Sequence, residues 1–443
     1  MSHFAKVEAE LSARGYTRMV FDISRIEALL DLLGGPQRAY PSIHITGTNG
    51  KTSTARMIDA LVRAHGLRTG RYTSPHLASV RERISVDGEP VDEERFVEIY
   101  REVAPAAQFL DERAGANTLT YFDLTTAMAL AAFADAPVDV AVVEVGLGGA
   151  EDSTNVLRAG TAVITPISLD HTQWLGDTIA DIATAKAGIV HSGATLICAA
   201  QPPDAMGPII ERCAEVDATI AREGHEFGVR HRELAVGGQV VTLQGLGGAY
   251  DQLFLPLHGA HQAQNAAVAL AAVEAFLGAG VATRQLDPDV VREGFATVTS
   301  PGRLERVRSS PTILLDAAHN PGGMAATVRA LGEEFTFERL VVVAAVLADK
   351  DVVGMLELLE PVVDAIVCSR NTSPRAMPAD ELAGLATQIF GAERVHLEPF
   401  MPDAITTAVT LAEEAVDGMV TSVGVLVTGS VVTVADARTL LVR

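Results

Sequence analysis

Residues 42–54 read SIHITGTNGKTST, an apolar run that leads into a glycine loop, a lysine and a threonine. After the loop, apolar side chains recur at the spacing of one helix face, at Ala55, Ile58, Leu61 and Val62. A strand, a glycine loop and a helix in this order can cradle phosphate, because backbone amides and the positive amino end of the helix attract its oxygens. This stretch therefore predicts an α/β fold with a nucleotide site.

The loop also contains the side chains that such a site uses. Lys51 would supply positive charge to the phosphates, and Thr52 can reach a magnesium ion. The spacing departs from the common phosphate loop, since Thr46 stands where a glycine is usual. The alternative is an ordinary glycine turn before a helix with an exposed lysine.

The surrounding sequence predicts two α/β domains. β-Rich runs alternate with helical patterns to about residue 200, and this alternation restarts at residue 312. Short runs separated by glycines at 225–257 predict a small antiparallel excursion, and an alanine-rich helix follows at about 261–279. We therefore predict a P-loop-ATPase-like domain with a mostly parallel sheet at 1–298, an interdomain linker at 299–311 and a smaller Rossmann-like domain at 312–443.

Composition narrows the classes of function. The 443 residues exceed one typical domain, and a net charge of −22 argues against sequence-independent binding to nucleic acid or anionic membranes. Cys198, Cys213 and Cys368 lie in separate apolar runs, which predicts buried, reduced thiols. The sequence has neither an apolar leader nor a run of about 18 uncharged apolar residues, so we expect a cytoplasmic protein.

Three polar side chains are candidates for metal binding. Glu144 ends an apolar strand pattern and His171 follows the next one, and ligands collect at the carboxyl ends of parallel strands. A buried carboxylate must be paired, protonated or bound to metal, whereas a lone histidine in this position is more often structural. Ser74 precedes a proline, where a serine usually belongs to a turn.

Lys186 is one of only four lysines in the chain. In the helical segment TIADIATAKAGIV it continues the stripe of Ile179, Ile182 and Ala183, so it should point inward. Burial would favour the neutral amine, which can react with carbon dioxide to give a carbamate that binds metal. The residues alone favour the simpler alternative, a lysine paired with an acid or with bound phosphate.

Eight motifs occur in one order: GTNGKTST, TSPH, EVGLGG, LDHTQWLG, AKAGI, HQAQN, SPGR and DAAHNP. Over about residues 20–435 the chain resembles the folylpolyglutamate synthase and dihydrofolate synthase family of the Mur ligases. The resemblance implies an ATP-dependent ligase that adds L-glutamate to dihydropteroate or to a tetrahydrofolate polyglutamate through an acyl phosphate. A Mur-type ligase for another carboxylate, a nucleotide switch and a scaffolding protein remain alternatives.

The resemblance also implies roles for individual residues. ATP would bind to Thr48, Asn49, Gly50, Lys51, Thr52, Asn265, Arg303 and Asp316. Two Mg²⁺ ions would bind to Ser74, Glu144, His171 and the carbamate of Lys186. The pterin would lie against Thr120, Tyr121, Phe122, Asp123, Glu151, Asp152 and Ser153. Lys51, Lys186 and His319 would act in catalysis, with His319 near the incoming glutamate.

Two departures from the family pattern affect the acceptor side. Ala150 and Glu151 replace the arginine and its neighbour in the usual GGRxDATN, so a cation is missing beside the pterin or the glutamate tail. The segment before Arg25 lacks the usual glycine and leucine pattern. Lys350 would either meet the glutamate carboxylates or form a surface salt bridge. We expect a monomer that binds small molecules and neither nucleic acid nor membrane.

Overall fold

The computed structural model describes residues 2–15, 18–115, 117–278, 284–414 and 422–442. The chain divides into two compact units, one of residues 1–233, 240–255 and 263–298, and one of residues 234–239, 256–262 and 299–443. Both units are α/β, as the sequence predicts.

The elements up to residue 298 are as follows. The helices are α1 (His3–Ser12), α2 (Ser24–Leu32), α3 (Lys51–Ala64), α4 (Glu93–Ala114), α5 (Tyr121–Asp135), α6 (Thr172–Leu175), α7 (Ile179–Ala187), α8 (Pro203–Glu215), α9 (Ala260–Phe276) and α10 (Pro288–Ala296). The strands are β1 (Ser42–Thr46), β2 (Thr69–Tyr72), β3 (Ile84–Val86), β4 (Glu89–Pro90), β5 (Val140–Glu144), β6 (Thr161–Ile164), β7 (Thr195–Cys198), β8 (Thr219–Arg222), β9 (Gly228–Ala235), β10 (Gly238–Gln244) and β11 (Ala249–Leu255). Three short 3-10 helices cover Pro36–Arg38, Val80–Arg83 and Ser153–Val156.

The main sheet of the first unit has eight strands in the order β4-β3-β2-β5-β1-β6-β7-β8. The six strands β2, β5, β1, β6, β7 and β8 run parallel. The strands β3 and β4 pair antiparallel beside β2 and form one side edge of the sheet. Every residue of β1 and β5 is buried, as expected for central strands of a parallel sheet covered on both faces. Because β5 and β6 flank β1, the segments that follow these three parallel strands meet at the carboxyl-terminal edge of the sheet, where the strands end.

Two helices carry predicted site residues to this edge. α3 begins directly after the glycine loop, and its predicted apolar face is buried. α7 begins with a capping box formed by Thr178 and Asp181. Its side chains Ile182, Ala183 and Lys186 are buried, which confirms the predicted orientation of the lysine, while Ile179 is half-buried.

The three-stranded sheet has the order β11-β10-β9 and confirms the predicted antiparallel excursion. Helix α9 follows it at Ala260–Phe276, close to the predicted range. Cys198, Cys213 and Cys368 are buried and form no disulfide, in agreement with the sequence. Within the described residues, the structure contains no helix with both the length and the apolar character needed to cross a bilayer.

The second unit is built on a six-stranded sheet in the order β12-β13-β17-β14-β15-β16. Its strands are β12 (Glu305–Ser309), β13 (Thr312–Asp316), β14 (Arg339–Ala344), β15 (Ala365–Cys368), β16 (Val395–Leu397) and β17 (Val423–Thr428). Its helices are α11 (Pro321–Glu334), α12 (Val352–Leu359), α13 (Ala379–Phe390), α14 (Met401–Glu413) and α15 (Val431–Leu441), with 3-10 helices at Glu360–Val362 and Ala392–Arg394. The five strands β13, β17, β14, β15 and β16 are parallel, as in a Rossmann-like domain.

The structure differs from the sequence prediction at the linker. Residues 299–311 were expected to connect the domains, but Glu305–Ser309 form the antiparallel edge strand β12 of the second sheet. Arg306 and Arg308 in this strand are exposed, so the strand has a charged face of the kind common at sheet edges. These arginines, together with the nearby serine and proline, gave the stretch the composition of a linker.

Candidate active site

The phosphate loop joins β1 to α3 and has a backbone that only glycine can adopt. Gly47 and Gly50 have φ values of +143° and +88°. A Cβ atom on Gly47 would lie 1.9 Å from Thr165 Oγ1, and one on Gly50 would lie 2.5 Å from Asn265 Oδ1. Both positions therefore require glycine for space as well as for conformation. The second contact also brings Asn265, predicted to bind ATP, against the loop.

The segment after β6 holds the other side of this loop. The amides of Thr48 and Asn49 donate to the Pro166 carbonyl at 3.0 and 3.2 Å. Asn49 Nδ2 also donates to Ser168 Oγ, and Thr48 Oγ1 donates to the Ser168 carbonyl, both at 3.1 Å. The loop is thus fixed by protein contacts before any ligand arrives. Sequence reasoning missed Ser168, whose only signal was its place after an apolar strand.

Lys51 folds back over the loop that precedes it. Its Nζ donates to the carbonyls of Gly47 and Thr48, both at 3.1 Å. This geometry places the ammonium group beside the loop and the amino end of α3, where a phosphate would bind. Binding of phosphate by Lys51 stays a prediction.

A hydroxyl and a backbone amide contact the carboxylate of Glu144, which ends β5 and is only 1% exposed. Thr52 Oγ1 donates to both carboxylate oxygens of Glu144 at 3.0 Å. The backbone amide of Ser74 lies 3.3 Å from Glu144 Oε2. The structure therefore brings together three residues that the sequence assigned to phosphate and magnesium binding.

His171 lies on the segment after β6, directly before α6. Its φ of +54° places it in the left-handed region, and its Nε2 lies 3.8 Å from Asp170 Oδ2. The His171 side chain is 34% exposed, whereas that of Asp170 is 7% exposed. Sequence reasoning missed Asp170, although it directly precedes the histidine in LDH.

Lys186 reaches the phosphate loop from α7. Its side chain is buried, and Nζ donates to the Gly47 carbonyl at 2.8 Å. Burial lowers the pKa of Lys186 to about 7, and the charge of Lys51 acts in the same direction, while Asp170 and Asp152 oppose it. A substantial fraction of this lysine is therefore neutral near pH 7, unlike an ordinary lysine.

The donor set at this edge suits a magnesium ion better than a softer metal. Among the described residues, no group of three or more His, Cys, Asp or Glu side chains is arranged to hold a metal. Magnesium needs no such cluster, because it is usually held by one or two carboxylates together with substrate phosphates and water. Glu144 with the hydroxyl of Thr52, beside the phosphate loop, fits that pattern.

On the predicted acceptor side, Asp123 connects several elements. It forms a capping box with Thr120 at the start of α5, and its Oδ2 accepts hydrogen bonds from Arg25 at 2.9 and 3.1 Å. Its Oδ1 accepts from Ser153 Oγ at 2.6 Å. Four residues flagged by the sequence thus lie together, and both oxygens of Asp123 are used in holding them.

Asp152 also accepts several hydrogen bonds and so stabilises the loop after β5. Its carboxylate accepts from the Leu147 amide at 2.8 Å, and from the amide and hydroxyl of Thr154 at 2.9 and 2.5 Å. Burial raises the pKa of Asp152, and these hydrogen bonds oppose that effect. Phe122 covers Gly146 in the same loop, where an added Cβ would lie 2.4 Å from the ring. Of the other predicted pterin residues, Tyr121 is buried and Glu151 is exposed.

Ala150, at the first departure from the family pattern, faces the end of α7. A Cβ on Gly188 would lie 2.4 Å from the Ala150 Cβ. Ala150 also lines a cavity of about 730 Å³, whose walls include Asn155, Arg158, His191 and Arg212. Two arginines therefore line the space beside the alanine that replaces the usual cation.

In the second unit, predicted site residues gather where β13 ends. Asp316 accepts from the Leu304 amide at 2.8 Å, the Ala318 amide at 3.0 Å and Thr327 Oγ1 at 2.8 Å. His319 Nδ1 lies 2.9 Å from the Ala317 carbonyl, and the Arg303 amide donates to the Ser300 carbonyl at 3.2 Å. Lys350 is half-buried. Binding of ATP and glutamate by these residues stays a prediction.

Comparison with known proteins identifies the family. The Mur ligase middle domain matches residues 45–273, and the Mur ligase glutamate ligase domain matches residues 302–431. The chain is 53% identical to the dihydrofolate synthase/folylpolyglutamate synthase of Mycobacterium tuberculosis, over 96% of this chain and 91% of that protein. The chain belongs to this family of Mur ligases.

Solved structures of the family share the fold. The Mycobacterium tuberculosis folylpolyglutamate synthase complexed with ADP and AMPPCP is 52% identical and has a TM-score of 0.95, covering 100% of this chain and 98% of that one. An FPGS–AMPPCP–folate complex is 30% identical and has a TM-score of 0.86, covering 99% and 100% of the two chains. Both the predicted family and the predicted fold class are thereby confirmed, and the protein is a ligase.

Proposed function

We propose that this ligase joins L-glutamate to a folate-type carboxylate at the expense of ATP, with dihydropteroate or a tetrahydrofolate polyglutamate as the acceptor. The observation that carries the proposal is the meeting of the phosphate loop, Glu144 and Lys186 at one edge of the sheet. Support for the substrates comes from family members whose structures contain AMPPCP or AMPPCP with folate.

In the proposed reaction, an oxygen of the acceptor carboxylate attacks the γ-phosphorus of ATP, and ADP leaves. The α-amine of glutamate then attacks the carbonyl carbon of the resulting acyl phosphate, loses a proton and displaces orthophosphate. Transfer of this kind depends mainly on positioning and on neutralising the phosphate charge. Lys51 and the amino end of α3 would hold the phosphates for the first step.

Magnesium would be held by Glu144 together with Thr52, Ser74 and His171, and would neutralise phosphate charge and orient the phosphates. The Thr52 hydroxyl and the Ser74 backbone amide already contact the Glu144 carboxylate, so both residues lie beside the group that would hold the ion. His171, on the adjacent segment, supplies a partly exposed imidazole from the same edge of the sheet.

We also propose that Lys186 acts as a carbamate. Its neutral amine would add to carbon dioxide, forming a nitrogen–carbon bond and releasing a proton. The pKa of about 7 makes the reactive neutral form available. The product places a negative charge near Lys51 and offers oxygen atoms to magnesium, whereas a neutral lysine offers neither.

The second unit would supply the remaining contacts. Arg303 and Asp316 would contact the nucleotide with Asn265, and His319 would meet the incoming glutamate. We propose that residues 1–298 and 312–443 act as separate domains that close over the acyl phosphate and protect it from water, with the connection between them at 299–304, before β12. The acceptor would lie against Phe122 and the loop that contains Asp152.

The proposal is tested by ATP-dependent incorporation of labelled glutamate, measured with Mg²⁺ and bicarbonate present. Dihydropteroate, a tetrahydrofolate polyglutamate and a cell-wall nucleotide are offered separately as acceptors, and ADP release is followed in the same samples. We expect glutamate incorporation matched by ADP release only when both an acceptor and glutamate are present. Activity confined to a cell-wall nucleotide acceptor would favour the other Mur-type reaction, and ADP release without amide formation would overturn ligation.

A further inference from the structure

An aromatic pair, the half-buried Phe21 and the exposed Trp174, lies on segments that adjoin the candidate site and has no part in the function described so far. The rings of Phe21 and Trp174 lie 5.6 Å apart at an interplanar angle of 55°. Trp174 is 46% exposed, and Leu169, on the other side of His171 in the sequence, is 51% exposed. Large apolar side chains usually avoid water, so this group offers a surface on which an aromatic ligand can pack.

Trp174 belongs to the chain segment whose start contacts the phosphate loop. It lies in the single turn of α6, and its amide donates to the His171 carbonyl at 2.9 Å. The same segment holds the phosphate loop through the contacts of Ser168 with Thr48 and Asn49. The segment that carries Trp174 therefore also contacts the loop where the phosphates are expected to bind.

The pair is also tied to the predicted acceptor side. Next to Phe21, the Val20 carbonyl accepts a 3.1 Å hydrogen bond from Arg25, which pairs with Asp123. Next to Trp174, Leu175 lies against Gly148, where an added Cβ would be 2.9 Å from its side chain. The chain segments that carry the pair thus contact the loop after β5, through Leu175, and the predicted acceptor side, through the Val20 carbonyl.

We propose that Phe21 and Trp174 bind the benzoyl ring of dihydropteroate, the ring that bears the reacting carboxylate. This inference rests on the proposed function and adds a specificity determinant to it. In dihydropteroate the carboxylate is bonded directly to the ring. When this carboxylate lies at the γ-phosphate, the ring must therefore lie next to the phosphate as well. The segments that carry the pair contact the phosphate loop and the predicted acceptor side, so the pair would meet that ring there, and an offset or edge-on contact with it is favourable.

The same reasoning separates the two acceptors. In a tetrahydrofolate with a glutamate tail, the reacting γ-carboxylate is at least one glutamyl unit away from the ring. When that carboxylate reaches the γ-phosphate, the ring must lie farther back and loses its contact with the pair. Phe21 and Trp174 therefore favour the glutamylation of dihydropteroate over chain extension.

The test compares the steady-state kinetics of Trp174→Ala, Trp174→Phe and Phe21→Ala with both acceptors. The matched control is Phe109→Ala, because Phe109 on α4 is also 46% exposed. We expect Trp174→Ala to raise the KM for dihydropteroate roughly tenfold, with a smaller effect of Phe21→Ala, as fits the loss of an aromatic contact. The KM for tetrahydrofolate should change less than about threefold, and Trp174→Phe should retain most of the affinity.

Binding of AMPPCP with Mg²⁺ to each variant reports whether the phosphate loop and α6 are intact. Equal changes in KM for both acceptors, or none for either, would overturn the inference while leaving the proposed function in place. A loss of AMPPCP binding in both Trp174 variants would also overturn it, since Trp174 would then support the nucleotide site. If the unmodified protein ligates glutamate to neither acceptor, the proposed function fails and the inference fails with it.

Discussion

Lys186 Nζ donates a 2.8 Å hydrogen bond to the carbonyl of Gly47, although 139 residues separate them in the sequence. The bond joins α7 to the first glycine of the phosphate loop, so any change in the charge of this lysine acts directly on the nucleotide site. Glu144, on the other side of the loop, binds the hydroxyl of Thr52 in α3. The candidate site is therefore built around β1 by groups from two separate βα connections.

Replacing Lys186 by arginine distinguishes the carbamate from a simple cation. An arginine keeps the positive charge but does not react with carbon dioxide, because its guanidinium stays protonated. We expect Lys186→Arg to lower kcat by roughly 10- to 100-fold, the usual cost of losing a group that supports a metal. The exposed Lys6, changed to arginine, is the control. Carbon-13 NMR with labelled bicarbonate should show a carbamate signal in the unmodified protein that Lys186→Arg lacks; full activity of that variant would contradict the assignment.

Gly50→Ala should weaken nucleotide binding beyond its effect on stability. Gly50 has a φ of +88°, and an added Cβ would meet Asn265 at 2.5 Å. Gly66, at the other end of α3, has a φ of +79° but open space around it. Both alanine variants should lose roughly 1 kcal/mol of stability from the left-handed backbone. Only Gly50→Ala should lose AMPPCP affinity in calorimetry; equal losses would show that backbone strain alone is responsible.

The sequence predicted the elements of the site better than their contacts. Lys186 could be placed on an inward helix face because helical spacing requires it, and Glu144 could be placed at a strand end. The partners of these residues, Gly47 and Thr52, are distant in sequence and depend on the order β5-β1-β6, which local patterns do not encode.

Two other predictions were limited because the same polar residue types occur in binding sites or linkers and in ordinary structural roles. Asp123 and Asp152 have the composition expected of ligand-binding residues, yet their oxygens are occupied by caps, Arg25 and Ser153. The arginines of Glu305–Ser309 resembled a linker because an exposed edge strand and a linker are both polar. Only backbone pairing, which the sequence does not display, distinguishes the two.

Glu144→Gln should reduce the effect of magnesium on nucleotide binding. The carboxylate is buried beside Thr52 and Ser74, and an amide lacks the charge that attracts the ion. We expect AMPPCP affinity with Mg²⁺ to fall roughly 10- to 100-fold, with little change in EDTA. Glu274→Gln is the matched control, because Glu274 is equally buried but binds Tyr250 instead. An equal loss in EDTA would mean that Glu144 acts by holding α3 in place.

His44 should make stability depend on pH. It is fully buried in β1, where Nε2 lies 2.8 Å from Thr154 Oγ1, and Nδ1 has no hydrogen-bond partner among the described residues. Burial lowers the pKa of His44 to about 3, and the charge of His191 adds to this effect. The unfolded chain, with a histidine pKa of about 6.5, therefore binds the proton more tightly than the folded chain.

The free energy of unfolding should accordingly fall as the pH drops below about 6.5, and continue to fall until about pH 3. From pH 7.5 to pH 5 the loss due to His44 is about 2 kcal/mol. In His44→Gln the side chain can still form a hydrogen bond with Thr154 but does not titrate. Between pH 7.5 and pH 5, the free energy of unfolding of this variant should therefore fall by about 2 kcal/mol less than that of the unmodified protein. Urea denaturation of both proteins at the two pH values measures the difference. Parallel declines would show that His44 is protonated in the folded protein as readily as in the unfolded chain.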